Sequence, residues 1–183
     1  QEVSAAERVA LPSPFSWPVS TANLKRCLLV TTFPLEGTDK QLVLVNLHLE
    51  AYDDGDGKAA QTKVLVEFLR EQYEAGNYVI AGGDFNQTFP GAYYYEALTE
   101  GCWMPGTLDE NIPEGFGIFY GEGDTPTCRL LDKPYRGNEN PQYYIIDGFI
   151  VSSNLTVESM ETLDYDFVSS DHNPIYMTIS FGE

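Results

Sequence analysis

Four strand-length apolar runs in this chain each lie beside a short polar cluster, and that repeated pattern limits the folds open to it. Val45-Asn46-Leu47-His48-Leu49-Glu50 closes one run, and Gly82-Gly83-Asp84-Phe85-Asn86 closes another. Ile145-Ile146-Asp147-Gly148-Phe149 and Ser169-Ser170-Asp171-His172-Asn173-Pro174 complete the set, and the two motif histidines are the only ones in the chain. Strand ends are places where a fold can gather distant side chains on one point, so the pattern predicts a sheet with one functional rim.

The remaining pattern predicts a layered α/β domain. Strands are expected over residues 24–33, 41–49, 78–81, 117–120, 144–152, 155–163 and 175–181, the first two as antiparallel neighbours across a turn-like linker. An amphipathic helix is expected over 58–75, where Leu65, Phe68, Leu69 and Tyr73 make a stripe ended by Gly76-Asn77, and a shorter one over 92–99. Residues 1–23, broken by Pro12, Pro14 and Pro18, read as an irregular packing segment. At 183 residues the chain makes one domain, 1–183. No apolar run approaches a membrane span and no signal peptide is visible, which leaves cytoplasmic and secreted locations unseparated.

Charge narrows the partners. With 28 acidic against 10 basic residues the net charge is −18, and no Lys or Arg occurs from Gly137 to Glu183. That field disfavours a polyanion, so a nucleic-acid duplex is a poor partner and a small phosphoester or phospholipid headgroup a better one. Arg129, Lys133 and Arg136 form the one basic cluster evident in the sequence. Three cysteines without a CxxC pair argue against structural zinc, and a Cys102–Cys128 bridge stays open. The acidic run at Asp53, Asp54 and Asp56 lacks the full ligand spacing of a calcium loop.

Each cluster has a functional and a plain reading. His48 can bond a phosphoryl oxygen or simply sit in a strand. Asp84 and Asn86, after two glycines, can accept a proton from water and hold a phosphate oxygen, or make an Asx turn. Asp147 lies in a hydrophobic run where a carboxylate needs a partner. Asp171 and His172 offer a cation ligand and a phosphate ligand from one corner stiffened by Pro174.

The motifs VNLHLE, GGDFN and SSDHNPI, in that order across residues 45–174, resemble those of the endonuclease/exonuclease/phosphatase superfamily, the deoxyribonuclease-I-like proteins. The resemblance implies the C-terminal sheet-plus-helices portion of a four-layer sandwich and a Mg²⁺-dependent phosphoester hydrolase, with Mn²⁺ or Ca²⁺ as alternatives. It implies catalytic roles for His48, Asp84, Asn86, Asp147 and His172, and a metal-proximal role for Asp171. The family's upstream Asn strand and metal-binding Glu have no counterpart before His48, and Gln1-Glu2 lacks their context. The expectation is therefore a hydrolase whose isolated chain is inactive or crippled, with a non-catalytic binding or interaction module of the same fold as the alternative. A sheet face normally covered by another sheet would then be exposed, favouring a homo-oligomer.

Overall fold

The computed structural model describes residues 2–13, 15–16, 18–51, 56–108, 112–132 and 140–182. Lys133, Arg136, Asp53 and Asp54 lie outside these. The strands are β1 (Ala5–Ala10), β2 (Cys27–Pro34), β3 (Gln41–His48), β4 (Tyr78–Asp84), β5 (Phe116–Phe119), β6 (Cys128–Arg129), β7 (Tyr143–Tyr144), β8 (Asp147–Ser152), β9 (Leu155–Thr162) and β10 (Ile175–Phe181), with helix α1 (Asp56–Glu74) between β3 and β4. Six strands form one mixed sheet in the order β1-β2-β3-β4-β8-β5, while β9 and β10 make a separate antiparallel ribbon and β6 and β7 a short one.

Side-chain alternation assigns the layers. Val43, Val45 and Leu47 of β3 join Leu28, Val30, Val79, Ala81 and Ile150 in a core closed by Leu65 and Leu69 of α1. The opposite face, with Leu42, Leu44, Ile80, Phe149 and Val151, packs on Leu155, Val157, Met177 and Ile179 of the β9–β10 ribbon. That cover is partial, since Leu29 on β2 remains 50% exposed. The helix ends where its sequence stops it. Gly76 takes φ of 85°, its N–H bonds the Tyr73 carbonyl at 2.9 Å and the Asn77 N–H bonds that of Gln72 at 3.2 Å, the pairing of a Schellman cap.

Three sequence expectations need correction. Residues 5–10, expected to be irregular, form β1, an alanine-rich edge strand held by its antiparallel pairing with β2. Residues 92–99 form no helix, because tertiary partners take their backbone groups: Leu98 N–H donates to Gln142 Oε1 at 2.8 Å, and Gln142 Nε2 donates to the Glu96 carbonyl at 3.2 Å. The expected strand 144–152 is split, with Ile145 and Ile146 between β7 and β8. There the buried Thr127 hydroxyl accepts from the N–H groups of Ile146 and Asp147 at 3.0 and 3.1 Å, and the Phe85 N–H takes the Ile146 carbonyl. All three cysteines are free thiols.

Candidate phosphoryl-binding site

Strand register builds the site. In the parallel β3–β4 ladder His48 stands opposite Asp84, and in the antiparallel β4–β8 ladder Asp84 stands opposite Asp147. Three neighbouring strands thus place an imidazole and two carboxylates in one row at the sheet rim. His172 arrives from the loop before β10 and is held by a backbone bridge to Cys128.

The side chains close into one network. His172 Nδ1 lies 2.9 Å from Asp147 Oδ2, and its Nε2 lies 3.9 Å from Asp84 Oδ2. Asn86, left-handed at φ 49°, donates its backbone N–H to Asp84 Oδ1 at 2.7 Å and its amide to Asp84 Oδ2 at 3.2 Å and the Leu49 carbonyl at 2.9 Å. The same amide nitrogen is 3.2 Å from His48 Nδ1, which is 3.6 Å from Asp84 Oδ2. His48, Asp84, Asn86, Asp171 and His172 line a single cavity of about 380 Å³. Asp147 stands behind it as the partner of His172.

Arg26 also lines this cavity, and the sequence reading missed it. Its Nε is buried with no hydrogen-bond partner among the described residues. A Lys25-Arg26 pair just before an apolar strand is the only trace it leaves in the sequence. Arg129, Trp103, Leu24 and Tyr144 complete much of the wall.

The electrostatics differ from residue to residue. Burial lowers His48 below its ordinary value, and the charge of Arg26 lowers it further, so this imidazole is neutral at pH 7. Burial would also lower His172, but the Asp147 hydrogen bond and the Cys128 contact reverse it and push the imidazole up to about 11. Asp84 is pushed up to about 6, first by burial and then by the Asp147 charge. A raised carboxyl contributes stability that is full below its ordinary 3.8 and is lost as pH rises through 6. Asp84→Asn removes that ionisation penalty at the cost of one bond from Asn86, and is expected to gain about 1–2 kcal/mol relative to the native chain as pH rises from 3 to 7. Urea denaturation should show the gain fading below pH 4, and an equal gain at pH 3 would contradict this account.

A divalent ion is not matched by these residues alone. Asp147 Oδ2 is taken by His172, and both oxygens of Asp84 accept from Asn86. Among the described residues no group of three or more His, Cys, Asp or Glu is placed to hold a metal. The expected Mg²⁺ centre is thus not found within the described residues.

A mixed sheet with a helix on one face, a ribbon on the other and a rim bearing His, Asp, Asn and Asp–His defines a class. The chain has the deoxyribonuclease-I-like fold. It is similar to D. rerio TDP2 complexed with a single-strand DNA product, at 17% identity and a TM-score of 0.65, covering 98% of this chain and 68% of that one. An endonuclease/exonuclease/phosphatase from Beutenbergia cavernae is 18% identical with a TM-score of 0.65, covering 98% of this chain and 45% of that one. A mannosyl-6-phosphatase from Bacteroides thetaiotaomicron is 17% identical with a TM-score of 0.63, covering 98% and 67%. No protein-family model and no curated protein sequence matches the chain. Among the described residues no helix is long and apolar enough to cross a membrane.

Proposed function

We propose that this chain is a phosphoester-binding module that keeps the hydrolase fold. The observation that carries this reading is the convergence of His48, Asn86, His172 and Arg26 on one cavity where both oxygens of Asp84 are already taken by Asn86 and Asp147 is taken by His172. In this reading Arg26 Nε donates to a phosphoryl oxygen, the His172 imidazolium neutralises a second, and neutral His48 bonds a third. Asp147 holds the His172 ring and its charge. The ligand is a small phosphoester, because a net charge of −18 repels a nucleic-acid strand.

A second reading, a metal-dependent phosphoester hydrolase, draws support from one feature. A carboxyl at about 6 is a base close to neutral pH. Asp84 would take a proton from the attacking water while His172 and Arg26 stabilise charge on the phosphoryl oxygens. Asp171 lines the cavity, but among the described residues no group of three or more His, Cys, Asp or Glu is placed to hold the metal this reading needs.

Calorimetric titration with inorganic phosphate tests the first reading. Saturable binding is expected without added metal, weakened roughly tenfold by Arg26→Ala, the loss of about one charge-assisted hydrogen bond. No saturable binding, or equal binding in the variant, would reject it. Turnover of bis(p-nitrophenyl) phosphate with Mg²⁺, abolished in Asp84→Asn, would move the assignment to the second reading.

A further inference from the structure

The β9–β10 ribbon covers only part of one face of the main sheet. The two-residue turn Ser153-Asn154 carries β8 straight into β9, and Phe181 at the end of β10 packs edge-on against Tyr78 of β4 at 5.0 Å. The apolar cluster under the ribbon includes Leu42 and Leu44 of β3 but no residue of β1 or β2. On the same face of β1 and β2, Ala6, Arg8 and Leu29 stay exposed and Thr31 and Phe33 half-buried. Within β1, β2 and β3 the only Lys, Arg, Asp or Glu on this face is Arg8, in a chain of 28 acidic and 10 basic residues.

Two strand edges flank this open shelf. β1 ends the main sheet, and β10 meets β9 on one side and no strand on the other among the described residues. Edge strands are usually guarded by charge, proline or a bulge. β10 has no charged residue and no proline, and the irregularity in its pairing sits at Glu158 of β9. β1 is different. Antiparallel pairing with its own copy, in either of its fullest registers, sets Glu7 against Glu7 or Arg8 against Arg8, which is repulsive. Nor can β10 pair with its own copy, because the β1 and β2 strands extending past it in each chain would then share one layer. The edge that suits each of these strands is the other.

We propose that the open face is a dimer interface, and that its occupant is a second copy of this chain turned about a two-fold axis parallel to the strands. The uncovered surfaces of the two copies then lie on each other, about 10 Å apart as packed sheets do. The geometry closes by strand count. With β10 above β4, the strands β3, β2 and β1 leave room for β1, β2 and β3 of the partner, and each β10 runs antiparallel to the partner's β1. The rotation keeps height along the strands, so Leu29 meets Leu29 of the partner subunit at the axis. Arg8, level with Asn46 in the sheet, stands over Asn46 of the partner subunit. At the seam Glu7 meets the hydroxyl-bearing face of β10, with Tyr176 and Thr178, instead of another charge. Both phosphoryl cavities open at the same end of the dimer, because the axis runs along the strands that carry them.

Sedimentation equilibrium of the whole chain tests this. A species of twice the 20.4 kDa chain mass is expected to build up with concentration. Leu29→Glu sets two carboxylates against each other at the axis and should weaken dimerisation roughly a hundredfold. Since Leu29 is 50% exposed, the variant should unfold at the native temperature when both chains are compared as monomers. Cysteine pairing reads the seam itself. In a Cys27→Ser background, Ala5→Cys chains are mixed with Tyr176→Cys, Thr178→Cys or Ser180→Cys chains, positions that cover neighbouring registers. A mixed disulfide in one of these mixtures, with none in any variant alone, is expected. A chain that stays monomeric through the concentration series would overturn the proposal and give the face to a different polypeptide. So would a dimer indifferent to Leu29→Glu, or a β10 variant that links only to itself.

Discussion

Replacing Gly83 with alanine is expected to destabilise the chain by roughly 3 kcal/mol or more, the largest effect of any single methyl group in the sheet. Gly83 has φ of 143°, a conformation that L side chains rarely adopt, and a Cβ there would overlap the carbonyl oxygen of Leu47 on β3. Backbone cannot swing aside as a side chain can, so the β3–β4 ladder must part where it sets His48 opposite Asp84. Gly123→Ala is the control, because Gly123 also has positive φ, 78°, but open space around it. That variant should cost about 1 kcal/mol, the conformational penalty alone. Urea denaturation of the two side by side separates strain from overlap. If Gly83→Ala costs no more than Gly123→Ala, close approach of the strands is not what requires glycine there.

Asp147→Asn should have the second largest effect, and on two groups at once. In the native chain Asp147 holds the His172 ring through a 2.9 Å bond and raises the Asp84 carboxyl through its charge. Asparagine removes the charge and keeps the shape. The His172 imidazole, left to its burial and the Cys128 contact, should then titrate well below 11. Asp84 should fall as well, from about 6 part of the way toward 3.8, since burial, the larger cause of its shift, remains. Nitrogen-detected NMR titration of the ring and carbon-detected titration of the carboxyl read both. A raised imidazole contributes stability that is full below 6.5 and is lost as pH rises through its folded value, here about 11. Losing that bond should cost about 2–3 kcal/mol at pH 6, with the difference from the native chain narrowing as pH climbs toward 11. A ring that still titrates far above neutrality in the variant would mean that Asp147 is not its main partner.

Much of the rim was legible in the sequence because its signals are local. A run of β-branched and aliphatic residues ending in Gly-Gly-Asp marks a strand whose chain must then pass close to another. The α1 stripe and its Gly76-Asn77 stop lie within a few turns of one another. The misreadings share a different cause. Residues 92–99 look helical until Gln142, more than forty residues away, takes their backbone groups. The 144–152 run looks like one strand until the Thr127 hydroxyl divides it. β1 has no alternation to detect, since an edge strand exposed on both sides owes its form to its neighbour. Arg26 carries no motif, and only folding brings it against His48 and Asp84.

By itself the sequence determined the layered α/β class, most strand and helix positions, the strong negative charge and the polar residues that meet at the sheet rim. Those follow from periodicity, glycine conformation and composition, which act over short stretches of chain. The tertiary structure decided which carboxylate holds which imidazole. It decided that Arg26 enters the cavity, and that Phe167 turns inward while Tyr165 and Val168 face solvent beside His172. Each of these depends on strand register or on contacts between segments far apart in the chain, and a pairing that closes a long loop is set by the whole packed fold, not by its local sequence.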